Sequence, residues 1–331
     1  MDNRVDPWFG GTYRPTSAPG YPRRRVTWLA RGSGRPGHEP NEPGKTDRPL
    51  TRGAQHDDAG SGTRRQTRAH PEEECLSRQR EPLPTRVEGL PPLPAEYTDA
   101  LEAGLAELDF TLAPGARQAI DDHVRLLLAW TGSINLTSVR EPADVARLHV
   151  LDSLTAVAPL RRRGIARFID LGSGGGLPGI PLAAALPADR ALLVESVRKK
   201  AGFLDVAVEA LGLTDRVAVE PQRVEALARD PRDRERWPAV TARAVAALDE
   251  LAELAFPLLA QGGILVAWKR GAIEAELAAA EAILDGLGGG RMEVVDPGLA
   301  ALPGHRLVIL EKTGRTGDSW PRDPATRRRP R

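Results

Sequence analysis

Residues 167–187 read "RFIDLGSGGGLPGIPLAAALP". An apolar run, 167–171, stops at Gly172, and an alanine-rich helix-former begins within a few residues, with Gly172, Gly174 and Gly176 between the two. Strand, glycine turn and helix in that order open a βαβ unit, and an open parallel sheet binds its ligand outside the carboxyl ends of its strands. Glycines in such a turn accept positive φ and let the backbone approach a bound molecule. Residues 174–179, "GGGLPG", fit the dinucleotide spacing, and Glu195 stands about 20 residues on, at the end of the next apolar run. Alone, that spacing is a weak signal.

Outward from this turn the alternation continues. Strands are expected at 167–171, 190–195, 216–220, 239–243 and 263–268, and helices at 178–186, 198–211, 222–229, 246–260 and 273–287. The runs "RMEVVD" and "HRLVILEK" add two strands with only a loop between them. This predicts an α/β fold with a mostly parallel seven-stranded sheet, helices on both faces and an antiparallel edge. Before it, "AEYTDALEAGLAEL", "ARQAIDDHVRLLLAW" and "EPADVARLHVLDSLTAVAPL" repeat apolar residues at helical spacing, with Pro142 acceptable in a first turn. The expected division is a basic tail over 1–94, a helical segment over 95–165, the sheet domain over 166–313 and a second basic tail over 314–331.

Composition limits the chemistry. The chain carries 46 Lys and Arg against 45 Asp and Glu, but residues 95–313 hold about seven more acids than bases and the two tails about four more bases each. A net-acidic core reaches nucleic acid only through a local basic patch. Cys75 lies in the first tail, so disulfides, zinc clusters and a core cysteine nucleophile are excluded. No apolar run is of membrane-spanning length and "MDNRVDPWFGG" has no signal-peptide core, so the expected address is the cytoplasm. The proline- and arginine-rich tails bury too little apolar surface to offset ordering, and both read as disordered. Apart from Met1 the one methionine is Met292, so a translation start near residue 87, the sharper reading of the first tail, would use a non-Met codon.

Charge separates two cofactors for the glycine turn. A pyrophosphate favours amide donors and avoids a carboxylate. Asp170 places an acid just before Gly172, while Pro178 and Pro181 remove two amide donors from the first helical turn. S-adenosylmethionine, with a sulfonium and an ammonium, suits that setting. Glu195 could then accept from both ribose hydroxyls.

Several linked motifs resemble one family. "WTGSINLTSVREPADVARLHVLDS", "FIDLGSGGGLPGIPLA", "LVESVRKKAGFL", "QRVEALA", "TARAVAALDELAELAFPLL" and "GGILVAWKRGAIEAEL" are similar, in order and spacing over roughly residues 115–312, to the bacterial glucose-inhibited division protein B family. These are RsmG-type enzymes that methylate N7 of one guanine in 16S ribosomal RNA. The resemblance implies a Rossmann-like class I S-adenosylmethionine-dependent methyltransferase. Its cofactor contacts would be Gly172 and Leu177 in the turn, Val224 and Glu225 at the adenine end, and Arg243; Gly174 of the turn and Glu195 at the ribose join them from the reading of the residues above. Asn135 and His149 match positions near the substrate, although Asn135 could cap a turn and His149 could be a satisfied buried histidine. Trp130 is expected in the core.

Arg198, Lys199, Lys200, Arg223, Lys269 and Arg270 follow strand ends on one rim and are the expected RNA contacts, whereas "RRRG" at 161–164 lies on the opposite rim. Two departures from the family bear on the substrate side. Lys269-Arg270-Gly271 replaces Lys-Gly, an insertion expected to move the loop, and the basic residue before the last strand is either His305 or Arg306. N7 of guanine has a lone pair and no proton, so in-line orientation matters more than a general base. Arg243 is accordingly a positioning residue. The unpaired or flipped base follows from the inaccessibility of the A-form major groove. The competing readings are methylation of a small molecule or protein, a non-catalytic ribosome-binding factor and a nicotinamide enzyme.

Overall fold

The computed structural model describes residues 82–186 and 189–327; the disorder expected for 1–81 and 328–331 concerns residues outside that range. The sheet has the order β3-β2-β1-β4-β5-β7-β6. Its strands are β1 Arg167–Leu171, β2 Arg190–Val194, β3 Val217–Glu220, β4 Trp237–Arg243, β5 Leu259–Arg270, β6 Gly290–Val295 and β7 His305–Lys312. Strands β1 to β5 are parallel, and β7 runs antiparallel to both β5 and β6, which makes the antiparallel edge expected from the closing pair. Both faces of the parallel part are covered, as its near-continuous apolar strands require. One core cluster packs β1 and β2 with the helices α6 Gly179–Ala185 and α7 Arg198–Ala210. The other lies under α8 Val224–Leu227, α9 Leu248–Ala255 and α10 Glu274–Leu284.

The helical segment, α1 Ala95–Glu107 and α2 Pro114–Thr131, shares the first of these cores. Trp130 is part of it, tilted against Phe203 at 5.4 Å. The run "EPADVARLHVLDSLTAVAPL" is not one helix. It forms α3 Pro142–Val145, a π-helical turn Ala146–Leu151, α4 Asp152–Leu154 and α5 Val157–Arg162. π-turns inside helices are uncommon and recur at functional sites; this one carries His149.

The boundaries expected for the two tails are corrected by packing. Within 82–94, Val87 is buried, and the carbonyls of an irregular chain are met by side chains of α2. Trp130 Nε1 donates to Pro84 O at 2.7 Å and Arg125 Nε to Pro91 O at 2.9 Å. Residues 314–327 are pinned likewise. Thr316 N donates to Glu235 Oε1 at 2.9 Å, Arg229 to Pro321 O at 2.9 Å, and Arg322 Nε to the fully buried Glu253 at 2.9 Å. Composition missed both segments because their order comes from hydrogen bonds between side chains and distant parts of the chain, which leave no periodic trace. The expected helix 222–229 also shortens to the four residues of α8. The Arg270 insertion causes no bulge: Lys269 and Arg270 continue β5 in register with Arg306 and His305.

Candidate functional site

The strand order reverses between β1 and β4, and a crevice opens outside the carboxyl ends of strands at such a switch point. Two half-sites occupy it. The first is the glycine turn. Gly172 is exposed and Gly174 half-buried, both with positive φ. A Cβ on Gly172 would stand 2.8 Å from Val245 Cγ2, on the segment after β4, so the two halves of the crevice touch there. Leu177 is buried behind the turn.

Glu195, at the end of β2, is buried and organises this turn. Its Oε2 accepts from Gly174 N at 3.0 Å and its Oε1 from Val197 N at 2.7 Å. A carboxylate has about four acceptor positions, so each oxygen keeps capacity for a further donor. Asp170 differs from expectation. Instead of standing at the mouth, it is fully buried beneath the turn, with Oδ1 accepting from Thr241 Oγ1 of β4 at 2.7 Å and Oδ2 without a hydrogen-bond partner among the described residues. Burial raises its pKa to about 6, against the hydrogen bond from Thr241 that lowers it. An acid so placed still sets a negative potential beneath the turn, which favours a cation over a pyrophosphate. The open glycine cradle, the orphaned oxygen of Asp170 and the spare acceptors of Glu195 fit S-adenosylmethionine.

Sequence reasoning passed over a support of this turn. His123, fully buried on α2, has Nε2 2.7 Å from Gly175 O; since a carbonyl only accepts, Nε2 carries the proton and donates. Leu127 of the same helix and Leu136 crowd Gly175 from the same side. "DDHVR" reads as an ordinary amphipathic stretch, and nothing in it signals a partner 52 residues away. Burial lowers the His123 pKa to about 4. A histidine with a depressed folded pKa stabilises the fold above its unfolded value of 6.5, and that contribution is lost as pH falls from 6.5 towards 4. Asp170 acts with the opposite sign, because its raised pKa adds stability as pH falls through about 6. Comparison with His123→Gln isolates the histidine. The variant keeps an N–H for Gly175 and should remove about 2–3 kcal/mol of the acid-induced loss between pH 7 and 4.5. Urea unfolding at both pH values checks this, and identical losses in the two proteins would refute it.

The second half-site is a cavity of about 430 Å³ beyond the ends of β4 and β5. Arg243, the last residue of β4, donates from Nη1 to Leu148 O of the π-turn and to Asp152 Oδ2, both at 2.9 Å. The other oxygen of Asp152 meets His305 Nδ1 at 3.0 Å, and its main-chain carbonyl accepts from Trp268 Nε1 at 2.7 Å. His149 lines the same cavity. Its Nε2 lies 2.6 Å from Thr137 Oγ1, and burial followed by the charge of Arg243 brings its pKa to about 4, so it is neutral near pH 7. The structure thus joins Arg243 and His149, which the sequence placed together only by resemblance, and adds Asp152 and Trp268. Of the two candidates on β7, His305 enters the cavity, while Arg306 turns to Asp296 at 3.2 Å. Asn135 is exposed on the loop after α2, beside Leu136.

The six cations expected on the rim differ in exposure. Arg198 and Lys199 at the start of α7, Arg223 before α8 and Arg270 at the end of β5 are exposed, and Lys200 is half-buried. Lys269 is a correction: its ammonium is tied to Glu276 Oε2 at 2.5 Å and Ala246 O at 3.0 Å, so it braces the cavity wall and is not presented to a phosphate. After β3, Val224 is half-buried. Glu225 accepts from Arg327 at 2.5 Å, a contact made by the tail that was expected to be disordered. "RRRG" lies apart from the crevice, with Arg161 over the Phe110 ring and Arg163 on Glu293. Among the described residues no helix is long and apolar enough to cross a membrane.

The chain is similar to known proteins over most of this architecture. A family profile described as rRNA small subunit methyltransferase G matches residues 116–295. Relatives named ribosomal RNA small subunit methyltransferase G include one from Rubrobacter xylanophilus, 45% identical over 231 residues, covering 67% of this chain and 87% of its own length. One from Dehalococcoides mccartyi is 37% identical over 66% of this chain and 93% of its own. One from Listeria welshimeri is 32% identical over 69% and 96%. Among solved structures, an O-methyltransferase from Bacillus cereus in complex with SAH aligns with a TM-score of 0.44 at 13% identity, over 64% of this chain and 96% of that one, a likeness too slight to argue from.

Proposed function

The chain belongs to the rRNA small subunit methyltransferase G family, and we propose that it transfers a methyl group from S-adenosylmethionine to N7 of one guanine in 16S ribosomal RNA. The observation that carries this reading is the contact of the two half-sites. An open glycine turn braced by Glu195 meets, at Val245, a donor-lined cavity large enough for a purine. S-adenosylmethionine, when bound, supplies an electrophilic methyl group on a sulfonium.

This chain's residues then bind and orient. Gly172, Gly174 and Leu177 shape the cradle, and Glu195 takes the ribose hydroxyls on its spare acceptor positions. Val224 and Glu225 border the adenine end. Arg243 fixes one wall of the cavity, and Asn135 and His149 flank the substrate. No general base is needed at N7, which agrees with a His149 whose pKa of about 4 makes it a hydrogen-bonding group and not a proton shuttle near neutral pH. Arg198, Lys199, Lys200, Arg223 and Arg270 offer phosphate contacts around the mouth. The net-acidic core makes the shape of the small ribosomal subunit, in the cytoplasm, part of what selects the base. Primer-extension mapping of N7-methylguanine in 16S ribosomal RNA from a deletion strain should show one modification lost and restored by the intact gene. An unchanged pattern would overturn the proposal.

A further inference from the structure

We propose that Asp152 is the positioning residue of the cavity and its charge balance: it holds Arg243 and His305 on one wall and offsets the positive charge that the purine acquires on methylation. The inference rests on the reaction proposed above. Asp152 is 4% exposed, and one carboxylate oxygen faces each of the two partners. Its carbonyl anchors the Trp268 indole, so one residue of α4 ties together the ends of β4, β5 and β7.

Charge gives the arrangement its meaning. The cavity is lined by Arg243, Lys269 and Arg270, and Asp152 is the one acid among its described lining residues. Lys269 is already offset by Glu276, which stands outside that lining. In the transfer, the N7 lone pair forms the new N–C bond while the S–C bonding pair returns to sulfur. The positive charge passes to the purine ring, and no proton moves. A wall of cations alone would oppose that shift. An acid inside the wall lessens the opposition, and the buried setting strengthens its effect. The Trp268 ring adds a surface that attracts a cationic purine.

The test compares 7-methylguanosine, which carries the product's charge, with guanosine, by calorimetry on the full chain. The wild type should bind the methylated nucleoside about tenfold more tightly, and Asp152→Asn should abolish that preference while changing guanosine affinity less than about twofold. In parallel, Asp152→Asn should lower kcat on 16S ribosomal RNA about tenfold with KM little changed. A preference that survives in Asp152→Asn overturns the proposal. So does an equal loss for both nucleosides that follows a fall in Tm, since a purely structural role predicts that result. If Asp152→Asn does not fold, Asp152→Glu, which keeps the charge but displaces Arg243, should retain the preference and lose rate; loss of the preference there would also overturn it. A wild type that prefers 7-methylguanosine yet leaves 16S ribosomal RNA unmethylated rejects the reaction and spares the charge balance. A wild type without the preference rejects this inference even if the RNA is methylated.

Discussion

Glu195→Ala should weaken S-adenosylmethionine binding by about a hundredfold or more, which corresponds to roughly 3 kcal/mol. Two losses add. The ribose hydroxyls lose the acceptor proposed for them, and the turn loses its brace, because Gly174 N and Val197 N both donate to this carboxylate. The two N–H groups are only part-buried, Val197 being 48% exposed, so water meets much of the loss and a small fall in Tm should accompany the loss of affinity. Glu195→Gln distinguishes the contributions. An amide retains one acceptor oxygen but turns an N–H group toward the second donor, so it should recover part of the stability and little of the affinity. Calorimetric titration with thermal unfolding of both variants checks the claim. Affinity within about threefold of wild type in Glu195→Ala would remove Glu195 from the cofactor site.

Most of the sheet was legible because parallel strands buried on both faces are apolar throughout, and the glycine turn at 172–176 marks where the first of them ends. The register of the crevice was legible for the same reason: residues just past the ends of parallel strands share one rim, which brings Arg198, Arg223 and Arg270 to the same side. Contacts between elements distant in sequence were less visible. His123 supports Gly175 from α2, and Asp152 gathers Arg243 and His305, yet neither stretch departs from an ordinary helical pattern. Asp170 shows a subtler gap. Its position before Gly172 is plain in the sequence, but whether an acid at a strand end faces solvent or the interior depends on the neighbouring strand, here through Thr241. Lys269 likewise looked like a free cation until Glu276, seven residues on, came back across the turn to meet it.

Arg243→Leu should be the most damaging single change at the substrate side, because it affects folding and chemistry through the same bond. The Arg243 side chain is 15% exposed and its partner Asp152 6%. Removing the guanidinium leaves a buried carboxylate with only His305, and the orphaning of a buried ion pair costs about 3–5 kcal/mol. The catalytic loss has a separate origin. The cavity wall is fixed because Nη1 bonds both to Leu148 O in the π-turn and to Asp152, which joins the helical segment to the tip of β4. Without that bridge the target base is held less accurately, and a displacement of about 1 Å costs on the order of a hundredfold in rate. Arg243→Lys separates the two. Its point charge can pair with Asp152, but the ammonium ends a shorter, more flexible stem and does not reach the place from which Nη1 bonds both Leu148 O and Asp152. Stability should therefore recover largely and the methylation rate only in part. Denaturant unfolding and single-turnover methylation of 16S ribosomal RNA measure the two independently. If Arg243→Leu keeps the rate within about fivefold of wild type once folded, orientation by this wall is not what drives transfer.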